Sequence, residues 1–167
     1  MPHRRPPRLS AAEYIGPTRI LFTMCTFKRE PHFARRTVVT LVLDELLRTA
    51  QEFDVEIIAY CFMQDHLHVL MAGTSAMSDL NRCARRFRQR AGYAYRHTYP
   101  GRLWQEGYFD RTLRDADATI AVVAYVVNNP VIAGYCDKPG DYEFTGSSRF
   151  NIDDLMDAIQ WSPDSVE

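Results

Sequence analysis

The segment YCFMQDHLHVLM, residues 60–71, constrains the fold more than any other part of the chain. Two apolar segments flank the polar pair Gln64-Asp65, which is the pattern of a β-hairpin with a two-residue loop. Successive side chains of a strand point to opposite faces, so His66 and His68 share one face of the second strand. The sequence therefore predicts an antiparallel pair of strands that carries two neighbouring imidazoles.

Two imidazoles on one face can supply half of a metal site. Tyr125 and Asn129 offer a second half, because they stand four residues apart in a predicted helix and would lie on one face, one turn apart. The amide oxygen of Asn129 could then complete a His-His-Asn ligand set. Simpler explanations fit the same spacings: surface histidines on an edge strand, a core tyrosine, and an asparagine that ends its helix.

The segments around the hairpin predict the remaining elements. Strands are expected at 19–27, 55–63, 66–72 and, interrupted by a glycine, 102–113; helices are expected at 31–53, 79–99 and 118–129, with a weak helix at 151–159. Ser78 is the expected cap of the second helix, Asp115 or Asp117 that of the third, and Pro130 is expected to end the third.

This β-α-β-β-α-β order predicts an α+β fold of the ferredoxin-like split-βαβ type, with an antiparallel sheet, helices on one face and an added C-terminal helix that bears the tyrosine. The histidines are then expected on an open face of the sheet, away from the helices. At 167 residues the chain should form one main domain, at 19–150, between a flexible basic arm at 1–18 and an acidic tail at 151–167.

Charge is concentrated in one part of an otherwise near-neutral chain. Residues 82–114 carry nine Lys or Arg against two acidic residues, although the net charge of the chain is −1. Five arginines within nine residues of one predicted helix favour a track for nucleic-acid phosphates over a merely solvated face. Arg111, beside the tyrosine helix, could position a phosphate or pair with Asp110 or Asp115. The predicted DNA-contacting residues are Arg82, Arg85, Arg86, Arg88, Arg90, Arg96 and Arg111, with Arg4, Arg5 and Arg8 in the arm.

Several classes of protein are disfavoured by the sequence. No apolar segment approaches the roughly 20 residues of a membrane-spanning helix, and the basic N-terminus lacks the apolar stretch of a signal peptide. A cytoplasmic protein without a membrane partner is therefore expected. The four cysteines are widely spaced and form no Cys-x-x-Cys pair, which argues against a zinc knuckle and a disulfide framework.

The combination of motifs resembles the single-tyrosine HUH transposases, and within them the REP-associated tyrosine transposases. The resemblance rests on the order and spacing of several stretches over about 19–148. These are His66-Leu67-His68, Leu103-Trp104-Gln105-Glu106-Gly107-Tyr108-Phe109-Asp110-Arg111, Tyr125 with Asn129-Pro130, the run on to Tyr135, Asp141-Tyr142 and Ser147-Ser148. The chain departs from the family by having Gln64-Asp65 where Pro-Asn is usual, and by lacking a tryptophan shortly before the serine pair.

The resemblance implies a metal-dependent endonuclease and strand transferase that acts on single-stranded DNA near hairpins or REP-type palindromes. Tyr125 would be the nucleophile that forms a 5′-phosphotyrosine, and His66, His68 and Asn129 would hold Mg²⁺ or Mn²⁺. Asp65 could serve as a base or support the metal site. A monomer and a homodimer are both compatible with the family.

Three alternatives remain at this point: a non-catalytic DNA- or RNA-binding module on the same fold, a hydrolase in which Tyr125 only positions water, and a structural protein with an incidental His-x-His pattern.

Overall fold

Five strands form one antiparallel sheet in a computed structural model that describes residues 9–166. The strand order is β4-β1-β3-β2-β5, so the hairpin strands β2 and β3 are neighbours and β1 lies beside β3. The strands are β1 (Arg19–Cys25), β2 (Val55–Phe62), β3 (His66–Gly73), β4 (Phe109–Leu113) and β5 (Thr145–Gly146), and the helices are α1 (Arg36–Glu52), α2 (Leu80–Thr98), α3 (Ala116–Ile132) and α4 (Ile152–Ala158).

The two faces of the sheet are covered by different helices. One core joins α1 and α2 to the sheet face that carries Phe22, Leu67 and Val69. A second core joins α3 and α4 to the opposite face, which carries Leu21 and Leu70. The predicted α+β fold with an added tyrosine-bearing helix is confirmed. The histidine face is not open, however, because the apolar side of α3 covers part of it.

Strand register fixes which side chains stand beside the histidines. In the β1–β3 pair Thr23 lies opposite His68 and Cys25 opposite His66, whereas in the β1–β4 pair Thr23 lies opposite Phe109. Directly opposite residues of an antiparallel pair project to the same face. A row of side chains from Phe109 through Thr23 to His68 therefore crosses three strands on the face covered by α3.

Two helix starts differ from the sequence-based expectation. The helix α1 begins at Arg36 rather than near residue 31, because a separate 3-10 turn, His32–Ala34, buries Phe33 first. The cap of α2 is Asp79, whose side chain accepts a hydrogen bond from the Arg82 N–H. Ser78 does not cap this helix, since its hydroxyl instead donates to the Asp54 carbonyl at 2.6 Å.

Pro130 lies inside α3 and does not end it. The helix continues to Ile132 and is closed by Gly134, which has a left-handed φ of +76° and donates its N–H to the Val131 carbonyl. Pro130 is itself buried, and this packing outweighs the one helical hydrogen bond that proline cannot make. The expectation that the third helix ends at Pro130 is therefore wrong.

The fourth strand is also shorter than expected. Only Phe109–Leu113 pairs with β1, while the preceding segment is irregular and forms one isolated backbone bridge, between Trp104 and Thr26. Gly101 and Gly107 both have positive φ in this segment, which turns the chain out of strand geometry. The expectation of a strand over 102–113 is correct only for its second half.

Both ends of the described chain pack against the domain. In the predicted arm, residues 1–8 with Arg4, Arg5 and Arg8 lie outside the described residues, and Tyr14 is buried in the first core. In the predicted tail, Leu155 of α4 joins the second core and the Trp161 indole donates to the Asn128 amide oxygen at 2.9 Å. None of the helices described is long and apolar enough to cross a membrane.

Candidate active site

His66 and His68 stand side by side on β3, with ring centroids 4.7 Å apart and planes at 84°. Each ring is held through its Nδ1 atom: that of His68 lies 3.0 Å from the Thr23 hydroxyl, and that of His66 lies 2.7 Å from the Asp65 carboxylate. Histidine ligands of metals are typically oriented in this way, by a hydrogen bond to the ring nitrogen that does not bind the metal. The two Nε2 atoms are therefore the positions suited to ligation.

Asp65 is held in turn by Arg29. The Arg29 Nε donates to the Asp65 carboxylate at 2.8 Å, and its Nη1 lies 2.8 Å from the Cys25 sulfur. Arg29 and the preceding Lys28 both have left-handed φ, 57° and 53°, a strained backbone that aims the guanidinium at the hairpin turn. Arg29, Asp65 and His66 thus form a continuous chain of polar contacts.

The electrostatics of the site keep Asp65 and His68 in the protonation states that suit a metal site. Burial raises the pKa of Asp65, but hydrogen bonds and charge from His66 and Arg29 outweigh burial and lower that pKa below its usual value. Burial, aided by the charges of His66 and Arg29, lowers the pKa of His68 to about 4. At neutral pH the carboxylate is ionised and the His68 imidazole is neutral, as a metal ligand must be.

Tyr125 reaches the histidines from α3. Its ring centroid lies 5.2 Å from that of His68, and 48% of the residue is exposed. The tyrosine borders a cleft of about 290 Å³ between α3 and the sheet, into which a substrate could bring its reacting atoms. The cleft is lined by Leu21, Thr23, Arg111, Ala121, Val122 and Tyr125.

Asn129 follows one turn after Tyr125 on the same helix. Its Nδ2 donates to the Tyr125 carbonyl at 2.6 Å, which leaves Oδ1 as the atom suited to ligation. Within residues 9–166 no three His, Cys, Asp or Glu side chains cluster as a metal site, so a site with three protein ligands would need a residue of another type beside the histidines. Two imidazoles with an amide oxygen fit a divalent ion that accepts mixed nitrogen and oxygen ligands.

Arg111 pairs with neither of the carboxylates that the sequence suggests. Asp110 accepts a hydrogen bond from the Tyr14 hydroxyl, and Asp115 accepts from the Ala118 N–H at 2.7 Å, as the cap of α3. Among the residues described, no acid forms an ion pair with Arg111. Its guanidinium stays available beside the tyrosine cleft.

The arginines of α2 lie on the other face of the sheet from the histidines. Four of them border a cleft of about 680 Å³ along α1 and α2, and one of the four, Arg90, pairs with Glu52 at 2.7 Å. Arg96 is exposed nearer the end of the helix. The cleft is lined by Glu52, Phe53, Arg82, Arg85, Arg86, Gln89 and Arg90.

Arg88 differs from the other arginines of α2. Its guanidinium donates to the Gln105 carbonyl at 2.5 Å and lies over the rings of Trp104 and Tyr108, 5.7 and 5.2 Å from their centroids. Burial lowers the pKa of Arg88. The side chain fixes the irregular segment before β4, so the expected phosphate contact is not supported here.

Two residues that orient the histidines, Thr23 directly and Arg29 through Asp65, are not predicted from the sequence. Thr23 has one local signal, a polar residue on the histidine-facing side of an apolar strand. Arg29 has none, because its partner lies 36 residues further along the chain. Both roles depend on the register and turn geometry that only the folded chain displays.

Comparison with known proteins identifies the family and the fold. The family model described as "Transposase IS200 like" matches residues 18–129. Among solved structures, a REP-associated tyrosine transposase bound to a REP hairpin has a TM-score of 0.72 and 18% identity, over 85% of this chain and 82% of its own. A putative transposase from Deinococcus radiodurans R1 has a TM-score of 0.50 and 17% identity, over 73% of this chain and 97% of its own. No curated protein matches the chain. The match over most of its length shows that the chain belongs to the family of IS200-like transposases.

Proposed function

We propose that this protein is a metal-dependent endonuclease and strand transferase that cleaves single-stranded DNA and becomes linked to it through Tyr125. The observation that carries the proposal is the position of Tyr125, whose ring lies 5.2 Å from His68, while the His66 ring lies 4.7 Å beyond. A tyrosine on one element and a histidine pair on another are thus brought together, with the tyrosine half exposed and His68 buried. Membership of the transposase family supports the same reaction.

His66, His68 and Asn129 are the proposed ligands of a divalent metal ion. When bound, such an ion polarises the scissile phosphate and offsets the charge that grows on its oxygens. The mixed nitrogen and oxygen set suits Mn²⁺ better than Mg²⁺, which prefers oxygen ligands. Asp65 has the role of orienting His66, since its two carboxylate oxygens are engaged by His66 and Arg29 and neither is directed to Tyr125 as a base.

In the proposed reaction the Tyr125 oxygen attacks the scissile phosphorus. A bond forms between that oxygen and phosphorus while the bond to the 3′ oxygen breaks. The phenol gives up its proton to solvent and the 3′ oxygen takes one up, so the released strand ends in a 3′ hydroxyl. The 5′ end remains on the enzyme as a phosphotyrosine, which conserves the bond energy for rejoining. Arg111, in the same cleft, is placed to balance the phosphate charge.

The arginine cleft on α2 is the proposed binding surface for the DNA backbone. Arg82, Arg85 and Arg86 are exposed there, and a REP hairpin is bound in the related transposase structure. Replacing all three with glutamine should reduce the slope of log affinity against log salt concentration by about 2 to 3, because each phosphate contact contributes roughly 0.7 to 0.9. Arg48→Gln on α1, where Arg48 pairs with Glu45, is the control. An unchanged slope in the triple variant would remove this surface from the proposal.

The decisive experiment is an adduct assay on denaturing gels. The protein and the Tyr125→Phe variant are incubated with labelled single-stranded hairpin oligonucleotides and Mn²⁺, with and without chelator. We expect a protein–DNA adduct that requires both the metal ion and Tyr125, and that persists in the control Tyr135→Phe. Cleavage without an adduct, retained in Tyr125→Phe, would favour a hydrolase. Binding without cleavage would favour a non-catalytic nucleic-acid module.

A further inference from the structure

We propose that Phe109 is a stacking platform for a nucleobase, and that together with Arg111 it holds the nucleotide next to the scissile phosphate. The inference rests on the proposed function and deepens it by naming how the substrate strand is positioned. Phe109 lies on β4, at the edge of the sheet, and is 50% exposed. Its strand partner is Thr23, the residue that also holds His68.

The register places Phe109 on the catalytic face. Because neighbouring strands lie about 4.8 Å apart, the row Phe109, Thr23, His68 puts the aromatic ring roughly 10 Å from the histidine. A nucleotide of an extended strand can bridge that distance from a phosphate near Tyr125. Arg111 lies two residues further along β4, on the same face, and lines the tyrosine cleft.

Packing among the described residues does not explain a phenylalanine at position 109. The ring belongs to neither hydrophobic core and forms no ring contact among the residues described, whereas its neighbour Tyr108 packs on Phe22 at 5.6 Å and bonds to Asn81. Tyr108 points to the α2 side, so the alternation of the strand turns Phe109 outwards. A lone exposed phenylalanine is unremarkable on most surfaces, but this one shares its strand face with Arg111, which pairs with no acid in the part of the chain described and lines the tyrosine cleft.

An exposed aromatic ring next to a cation is the combination that proteins use to bind single-stranded nucleic acid. The ring stacks on the face of a base and the cation holds the adjoining phosphate. Every base has such a face, so the subsite sets the position of the strand rather than its sequence. Loss of one stacked base should weaken binding of the strand about 5- to 150-fold, which is the energy of a single base–aromatic stack expressed as a fold-change.

The test compares Phe109→Ala and Phe109→Trp on hairpin oligonucleotides whose single-stranded flank carries one abasic site at successive positions. We expect Phe109→Ala to slow adduct formation about 5- to 150-fold and Phe109→Trp to restore it. One abasic position should slow the wild-type protein equally and should not slow Phe109→Ala further. Phe150→Ala removes another exposed phenylalanine, which follows β5 at the opposite edge of the sheet, and is the control.

A second measurement does not depend on cleavage. In complexes with the Tyr125→Phe variant, a single 2-aminopurine is moved along the flank and its fluorescence is recorded. One position should be quenched, and the quenching should disappear when Phe109→Ala is added. The subsite is overturned if no position depends on Phe109, or if the loss in Phe109→Ala is the same on every abasic substrate. Absence of wild-type adducts together with Phe109-dependent quenching would instead contradict the proposed cleavage and keep the subsite.

Discussion

Removal of the Asp65 carboxylate offers the sharpest test of the proposed metal site. In the variant Asp65→Ala the His66 ring loses the 2.7 Å hydrogen bond that fixes its orientation and tautomer, while the chain fold is left in place. We expect the affinity for Mn²⁺ to fall 10- to 100-fold, or about 1.4 to 2.7 kcal/mol, as is typical when such an orienting partner is lost. His68 keeps its own partner, Thr23, so binding should weaken without disappearing.

The structure also predicts the order of related variants. Asp65→Asn retains an oxygen that can accept from His66, so its loss should lie at the lower end of the range. Arg29→Gln leaves the Asp65–His66 bond intact, and the Arg29 side chain is 51% exposed, so solvent screens its charge. We expect Arg29→Gln to change the affinity by less than about threefold, since exposed pairs of this kind are worth little.

The assay is titration of Mn²⁺ into metal-free protein, followed by the electron paramagnetic resonance signal of the free ion. Asp44→Asn, on the exposed side of α1, is the charge-matched control. His66→Ala sets the level expected when one ligand is lost. The reasoning is refuted if Asp65→Ala binds Mn²⁺ as tightly as the wild type while His66→Ala does not.

Three further predictions concern stability and reactivity. Because the pKa of His68 is lowered to about 4, the unfolded chain binds a proton that the native metal-free chain does not. The free energy of unfolding of the metal-free protein in urea should therefore fall by up to about 3 kcal/mol from pH 6.5 to pH 4, and the fall should be smaller in His68→Gln. Gly73→Ala should destabilise by about 1 to 3 kcal/mol in urea, since its Cβ would lie 2.0 Å from the Gly16 carbonyl oxygen; unchanged stability would contradict this close approach. Burial raises the pKa of Cys61 and Cys83 to about 12. A thiol-alkylating reagent at pH 8 should therefore leave both side chains unlabelled until the protein unfolds, as measured by mass spectrometry; rapid labelling of the native protein would contradict this expectation.

The parts of the fold that depend on local periodicity could be predicted from the sequence. The alternation of β3 determines that His66 and His68 share a face, and the polar pair before them determines the hairpin. The order of elements then leaves few arrangements for the sheet. Tyr125 and Asn129 are likewise related by helical spacing alone.

The parts that depend on contacts between distant segments could not be predicted. The sequence predicts that Pro130 ends α3, but the burial of this residue outweighs the local preference. Arg88 belongs to an arginine-rich stretch, and only the arrival of Trp104 and Tyr108 from a later segment turns it inwards. Arg29 contacts Asp65 because its backbone is left-handed, and the residue type at position 29 does not predict that conformation.

The separation of the arginine cleft from the tyrosine cleft would fix the length of DNA that lies between the two. One cleft lies along α1 and α2 and the other between α3 and the sheet, so the sheet and the helix layer of α1 and α2 lie between them, a separation on the order of 10 Å. A DNA molecule that fills both must pass around an edge of the sheet, and the length of that path is set by the protein. The distance from a bound hairpin to the cut would then be a fixed number of nucleotides, whatever their sequence.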